Sequence, residues 1–110
     1  MGLTVAGFTA AILASCGAPD GAGQLPDRGP EVSGVVGAGE VPGEPVLVEA
    51  SDPYYEGMAL LRGGPVVVRG GTTVSSDELR EGTEVDVWTA EACAESYPVQ
   101  CGIDAIRITD

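Results

Sequence analysis

The sequence predicts an all-β fold: a small barrel of five or six strands with one short helical turn near residues 75–80. Three observations predict it. From Glu31 onward, short runs of Val and Ile recur, as in Val66-Val67-Val68 and Ile106-Arg107-Ile108. Most are bounded by Gly, Pro or Asp, and only Ser75–Leu79 carries the chemistry of a helix start. β-branched runs at this spacing favour a sandwich or barrel over βαβ units, which need long helical stretches between strands.

The elements follow in order. Val32–Val36 alternates weakly and is broken by Gly37, Gly39 and Pro42-Gly43. Val46–Ala50 is a second strand, stopped by Ser51-Asp52-Pro53, and Met58–Leu61 a third, stopped by Gly63-Gly64-Pro65. Pro65–Arg69 is a fourth, ended by Gly70-Gly71. Ser75 and Glu78 then have the capping-box spacing, in which a Ser side chain and a Glu carboxylate satisfy free backbone amides reciprocally. A cap accounts for Glu78 more simply than a catalytic acid does. Leu79 packs inward, Gly82 ends the turn, and Val85 and Val87 alternate with Asp86 and Trp88 in a fifth strand. Ile103–Ile108 is the last. A strand, a capped turn and a strand entered through Glu81-Gly82 suit a small barrel of the OB type.

The domain organisation is set ahead of these strands. Residues 1–15 contain no charged residue, and Leu3–Leu13 is apolar but short of the roughly 20 residues that span a bilayer. An apolar run ending in small residues has the shape of a secretory signal peptide. Leu13-Ala14-Ser15-Cys16 resembles the lipobox of bacterial lipoproteins, which implies cleavage before Cys16 and attachment of a lipid to its thiol, with palmitate among the fatty chains carried. The leader departs from the usual pattern in having no Lys or Arg, only the Met1 amine. A buried N-terminal helix with an inert Cys16 is the plainer alternative. N-myristoylation at Gly2 is excluded because Ala6 stands where Ser or Thr is required.

The expected division is a signal peptide over residues 1–15, a lipidated Cys and flexible Gly/Pro spacer over 16–30, and a β-barrel over 31–110. Gly17–Pro30 has one large apolar residue, Leu25, too little to offset the entropy of ordering the segment. A flexible chain of this length reaches on the order of 20 Å. The Gly-x-Gly matches at Gly21 and Gly37 belong to no complete phosphate-binding loop. The expected location is the extracytoplasmic face of the cell membrane, or an outer membrane where the cell has one.

Charge narrows the partners. The chain has 17 acidic and 5 basic residues, a net charge of −12, and every basic residue is Arg. Arg28, Arg62, Arg69, Arg80 and Arg107 are dispersed, so nucleic acid and electrostatic docking on anionic lipid are both disfavoured. Attachment to the membrane falls to the lipid, and the remaining partner is an envelope protein or ligand.

With Cys16 lipidated, Cys93 and Cys101 form an even pair outside the cytoplasm, and a disulfide is the simplest outcome. A metal site would need more ligands, and the chain has no His. The acidic residues Asp52, Glu56 and Glu49 near Tyr54 could hold Ca²⁺ weakly, but they lack an EF-hand-like spacing, so no metal and no cofactor are assigned.

Val85-Asp86-Val87-Trp88, Glu95-Ser96-Tyr97-Pro98-Val99-Gln100 and Ile106-Arg107-Ile108 together resemble the C-terminal half of the YobA-like family of small exported bacterial domains. In that family a strand entered through Gly leads to an acidic-Ser-Tyr-Pro segment and then a final strand. The resemblance spans Glu31–Thr109, with its motifs from Leu79 on, and implies an OB-like barrel of unknown role. It carries over no catalytic residue, and the Cys93/Cys101 pair is an addition to the family pattern.

Four aromatics are candidates for a binding surface: Tyr54, Tyr55, Trp88 and Tyr97. Aromatics on one face of an OB-like barrel and in nearby loops often form its binding surface. Against this, Trp88 can cover the open end of the barrel while one Tyr packs on the rim. Pro98 disfavours a helical Tyr97, so Ser96-Tyr97-Pro98 should cross between the last two strands, with the Tyr97 ring plugging the barrel or facing a ligand. No His, Lys or unpaired thiol is expected, so a non-catalytic binding or structural module of the envelope is the primary expectation. The alternative is a carboxylate-dependent hydrolase of envelope glycan, or a cation-binding surface module.

Overall fold

The computed structural model describes residues 25–110. The expected signal peptide, Cys16 and most of the expected spacer lie outside the described residues. The strands are β1 (Val32–Gly37), β2 (Val46–Val48), β3 (Val66–Arg69), β4 (Thr72–Val74), β5 (Glu84–Ala94) and β6 (Gln100–Ile108). They form one mixed sheet in the order β2-β1-β5-β6-β3-β4, curled into a half-barrel. All neighbouring pairs are antiparallel except β3 and β6, which run parallel.

Alternation along the strands decides which side is the core. Val85 and Val87 on β5, Ile106 and Ile108 on β6, Val67 on β3 and Val32 and Val36 on β1 all face the concave side, where Leu47, Met58, Leu60 and Leu79 fill the interior. Asp86, Trp88 and Arg107 fall on the convex side. Gly34 lies between Val32 and Val36, and a Cβ there would sit 2.7 Å from the Val48 carbonyl oxygen and 2.8 Å from Leu47 Cδ1. The missing side chain lets β2 fold closely over β1.

Three elements differ from the sequence reading. The third predicted strand, Met58–Leu61, is reduced to one β-bridge between Ala59 and Val46. It still runs along β2, through Leu47 N–H to the Met58 carbonyl (2.9 Å) and Leu60 N–H to the Pro45 carbonyl (3.0 Å), and buries Met58 and Leu60. In its place β4 forms a hairpin with β3 through Gly70-Gly71, both at positive φ, as a two-residue hairpin loop requires. Finally, β5 runs past Trp88 to Ala94 and β6 begins at Gln100, with register shifts around Thr89.

The helical turn is a 3₁₀ turn at Ser76–Glu78. Ser75 caps it by accepting from the Asp77 amide (3.0 Å). Glu78 does not complete a capping box, because its carboxylate turns to Arg69 at 3.6 Å. Leu79 is buried as expected. Cys93 and Cys101 form a disulfide and face one another across β5 and β6. Chain entropy assigns so short a loop roughly 2 to 3 kcal/mol.

Candidate functional site

The candidate site lies at the far end of the β5–β6 hairpin, where two loops meet. The first loop is clamped by its own carboxylates. Asp52 accepts from the Tyr54 amide (3.0 Å) and starts a 3₁₀ turn at Pro53–Tyr55. Glu56 accepts from the Glu49 and Ala50 amides at 3.1 and 2.9 Å, and Glu49 takes the left-handed conformation with φ of 52°. Ser51 ties the loop to β1, donating its N–H to the Ser33 carbonyl (2.7 Å) and accepting from the Ser33 amide at Oγ (2.9 Å). Glu49, Asp52 and Glu56 are thus parts of the loop frame.

This frame presents two rings edge to face, with the Tyr54 and Tyr55 centroids 4.9 Å apart. Tyr55 packs against the core, while Tyr54 is 45% exposed. The Tyr54 hydroxyl donates to Glu95 at 2.7 Å, which joins the loop to the tip of the β5–β6 hairpin. Donation to that carboxylate raises the Tyr54 pKa above its ordinary value, since ionising the phenol would set two negative charges together.

The hairpin tip is the second loop. The disulfide closes its base, Ser96 Oγ donates to the Pro98 carbonyl (2.8 Å), and the Tyr97–Pro98 peptide is cis. Pro98 lies against Gly57, where a Cβ would come within 3.3 Å of it. Tyr97 itself is 97% exposed, so it plugs nothing. Its neighbour Pro98 makes the contact with the other loop, and the Tyr97 ring is left to solvent.

Trp88 does not join this surface. It is 2% exposed, on the convex face, with the Arg107 guanidinium 5.1 Å from its ring centre. Its indole N–H donates to the Arg28 carbonyl at 2.7 Å. Sequence reasoning missed this arrangement because Arg28 sits in the composition of a spacer. The Arg28 guanidinium donates to the Thr89 carbonyl (2.8 Å) and to Glu31 (2.9 Å), and lies 3.5 Å from Asp104. Glu31 also accepts from the Thr89 amide at 2.8 Å, and its own N–H donates to the Val87 carbonyl. The last spacer residues therefore form a strap over β5.

A second convex contact lies beside it. Asp86 accepts from Arg107 at 2.6 Å and from Ser33 Oγ at 2.7 Å. The signal was present in sequence, since Asp86 and Arg107 alternate with core residues on strands that pair. Burial pushes the Glu31 and Asp86 carboxyls up, but the bonds and charges of their partners outweigh it. Both end below the usual range: Glu31 through Arg28 and the Thr89 amide, Asp86 through Ser33 and Arg107.

Between strap and hairpin lies a polar groove of about 420 Å³, lined among others by Arg28, Glu31, Tyr55, Glu91, Cys93 and Asp104. The structure thus brings Tyr54, Tyr55, Tyr97 and the disulfide to one end. No group of three or more metal-type ligands occurs among the described residues. Comparison with models of protein families, with curated proteins and with solved structures finds no match to this chain.

Proposed function

We propose that the chain is a bacterial envelope lipoprotein, anchored through Cys16 on the extracytoplasmic face of the membrane, with a non-catalytic binding or structural β domain. The observation that carries it is the Cys93–Cys101 disulfide. It leaves Cys16, at the end of the apolar leader, as the chain's one remaining cysteine. The partner-facing surface is the end bearing Tyr54, Tyr55 and Tyr97, where two loops are fixed to each other and need little ordering on binding. The resemblance to the YobA-like family belongs to the same proposal.

The non-catalytic reading rests on the carboxylates. A general acid for glycan hydrolysis needs a raised pKa, whereas Glu31 is lowered by Arg28 and the Thr89 amide and Asp86 by Ser33 and Arg107. The interior is filled by aliphatic side chains, and the core cluster contains no acidic residue. The test is fractionation of cells producing the wild type or Cys16→Ser, followed by crosslinking and co-purification from native membranes. Cys16→Ser should move the protein from the membrane to the periplasm or medium. Crosslinks to an envelope component should weaken in Tyr97→Ala. Unchanged fractionation would refute the anchor, and unchanged crosslinking would remove the tyrosine end as the partner surface.

A further inference from the structure

The end of the half-barrel opposite the tyrosines carries a second groove, of about 330 Å³. Its lining includes Val36, Val41, Pro42, Leu61 and Leu79, with Glu44, Asp77 and Glu81 also present. It lies beyond the start of β5, while Cys93 and Tyr97 lie at that strand's far end. Val41 is 52% exposed on the groove's lip, one of three large hydrophobic residues exposed among the described residues. The other two are Tyr54 and Tyr97.

The walls are already ordered. Glu44 N–H donates to the Val41 carbonyl (3.1 Å), closing the loop that carries Val41. On the other side, Leu79 N–H donates to the Ser76 carbonyl (3.0 Å) and Gly82 N–H to the Val36 carbonyl (2.8 Å). A wall that is fixed before binding loses little conformational entropy on receiving a ligand.

The groove shares the unpaired acidic character of much of the fold, as at Glu49, Asp52 and Glu91, and sets it beside an apolar floor. Glu31, Glu78, Asp86, Asp104 and Asp110 each pair with an Arg. Glu44, Asp77 and Glu81 are in no ion pair among the described residues, and no Arg lines the groove. An apolar floor with uncompensated carboxylates is complementary to an apolar side chain flanked by cations. The strap places the spacer's attachment at Arg28, beside Thr89 and away from this groove. The described residues therefore begin away from this groove.

From these features we infer that the groove docks an extended segment of a partner protein, one presenting a Leu- or Val-like side chain between Lys or Arg residues. This goes beyond the proposed function by adding a second surface with its own chemistry.

The probe is a synthetic peptide alternating Leu and Arg, titrated into the full chain carrying Cys16→Ser and followed by backbone amide NMR shifts. Shifts should concentrate at Val41, Gly43, Asp77 and Leu79, and affinity should fall as salt rises from about 50 to about 300 mM. Asp77→Lys with Glu81→Lys should weaken binding on the order of tenfold and admit a peptide alternating Leu and Glu. Val41→Ser changes no charge at an exposed position, and it should also weaken the Leu-Arg peptide severalfold. Shifts centred on Tyr54 and Tyr97, or full binding by Val41→Ser, would overturn the inference by showing general attraction to an acidic surface. If the double variant does not fold, Val41→Ser still decides. Failure here leaves the fractionation result of Cys16→Ser untouched, so the two readings fail separately.

Discussion

Glu31 is one carboxylate that closes two junctions. It receives the Arg28 guanidinium from the strap and the Thr89 amide from β5. Its pKa is the net of burial, which raises it, and of these partners, which lower it further. Because folded Glu31 gives up its proton more readily than an unfolded glutamate, its contribution to stability is fully present above the ordinary Glu range. It is lost as pH falls through the depressed folded value. Glu31→Gln should therefore melt lower than the wild type near neutrality, with a shallower loss of stability between roughly pH 5 and pH 2. Melting followed by the emission of Trp88, the chain's only Trp, measures both. Parallel profiles for the two proteins would sink this account. Asp86 titrates in the same direction and stays in place in both proteins, so the slope is reduced and not abolished.

At the scale of elements, the strands with alternating or continuous Val and Ile were legible, and the polar ones were not. β1, β2, β3, the first half of β5 and the end of β6 follow from apolar residues on one face. β4 is Thr72-Thr73-Val74, an edge strand with little buried surface and no apolar alternation. Only the Gly70-Gly71 hairpin signal points to it. The stretch Thr89–Ala94 likewise has no pattern of its own and is held in β5 by pairing with β6 around the disulfide. Of the candidate site, Tyr54 and Tyr97 were legible as loop aromatics beside turn residues. Trp88 was not, because what buries it comes from Arg28 and Arg107, remote in sequence. The tight fold of β2 over β1 has a direct test in Gly34→Ala. The added methyl meets a backbone oxygen as well as Leu47, so the sheet and not only a side chain must shift. Overpacking of this kind should lower stability by about 1 to 3 kcal/mol in denaturant titrations. A change under a few tenths would mean that β2 moves off β1 without loss.

For the whole molecule, the strap decides where the folded body begins. Composition sets the boundary at Glu31, but the Arg28 carbonyl covers the Trp88 indole and the Arg28 side chain bridges Thr89, Glu31 and Asp104. Two truncations separate the readings. Removing residues 17–27 keeps Arg28 and should preserve the short-wavelength emission expected of a buried Trp88. Removing residues 17–30 uncovers the indole, leaves its N–H without the Arg28 carbonyl, and should shift emission to longer wavelength. Exchanging that hydrogen bond for one to water costs about 0.5 to 1.5 kcal/mol, so the melting temperature of the longer truncation should fall by several degrees relative to the shorter one. Equal emission and equal melting in the two truncations would return the boundary to Glu31. A difference would place the start of the folded body at Arg28, against Thr89 in the middle of β5 and away from the acidic, apolar groove beyond that strand's start.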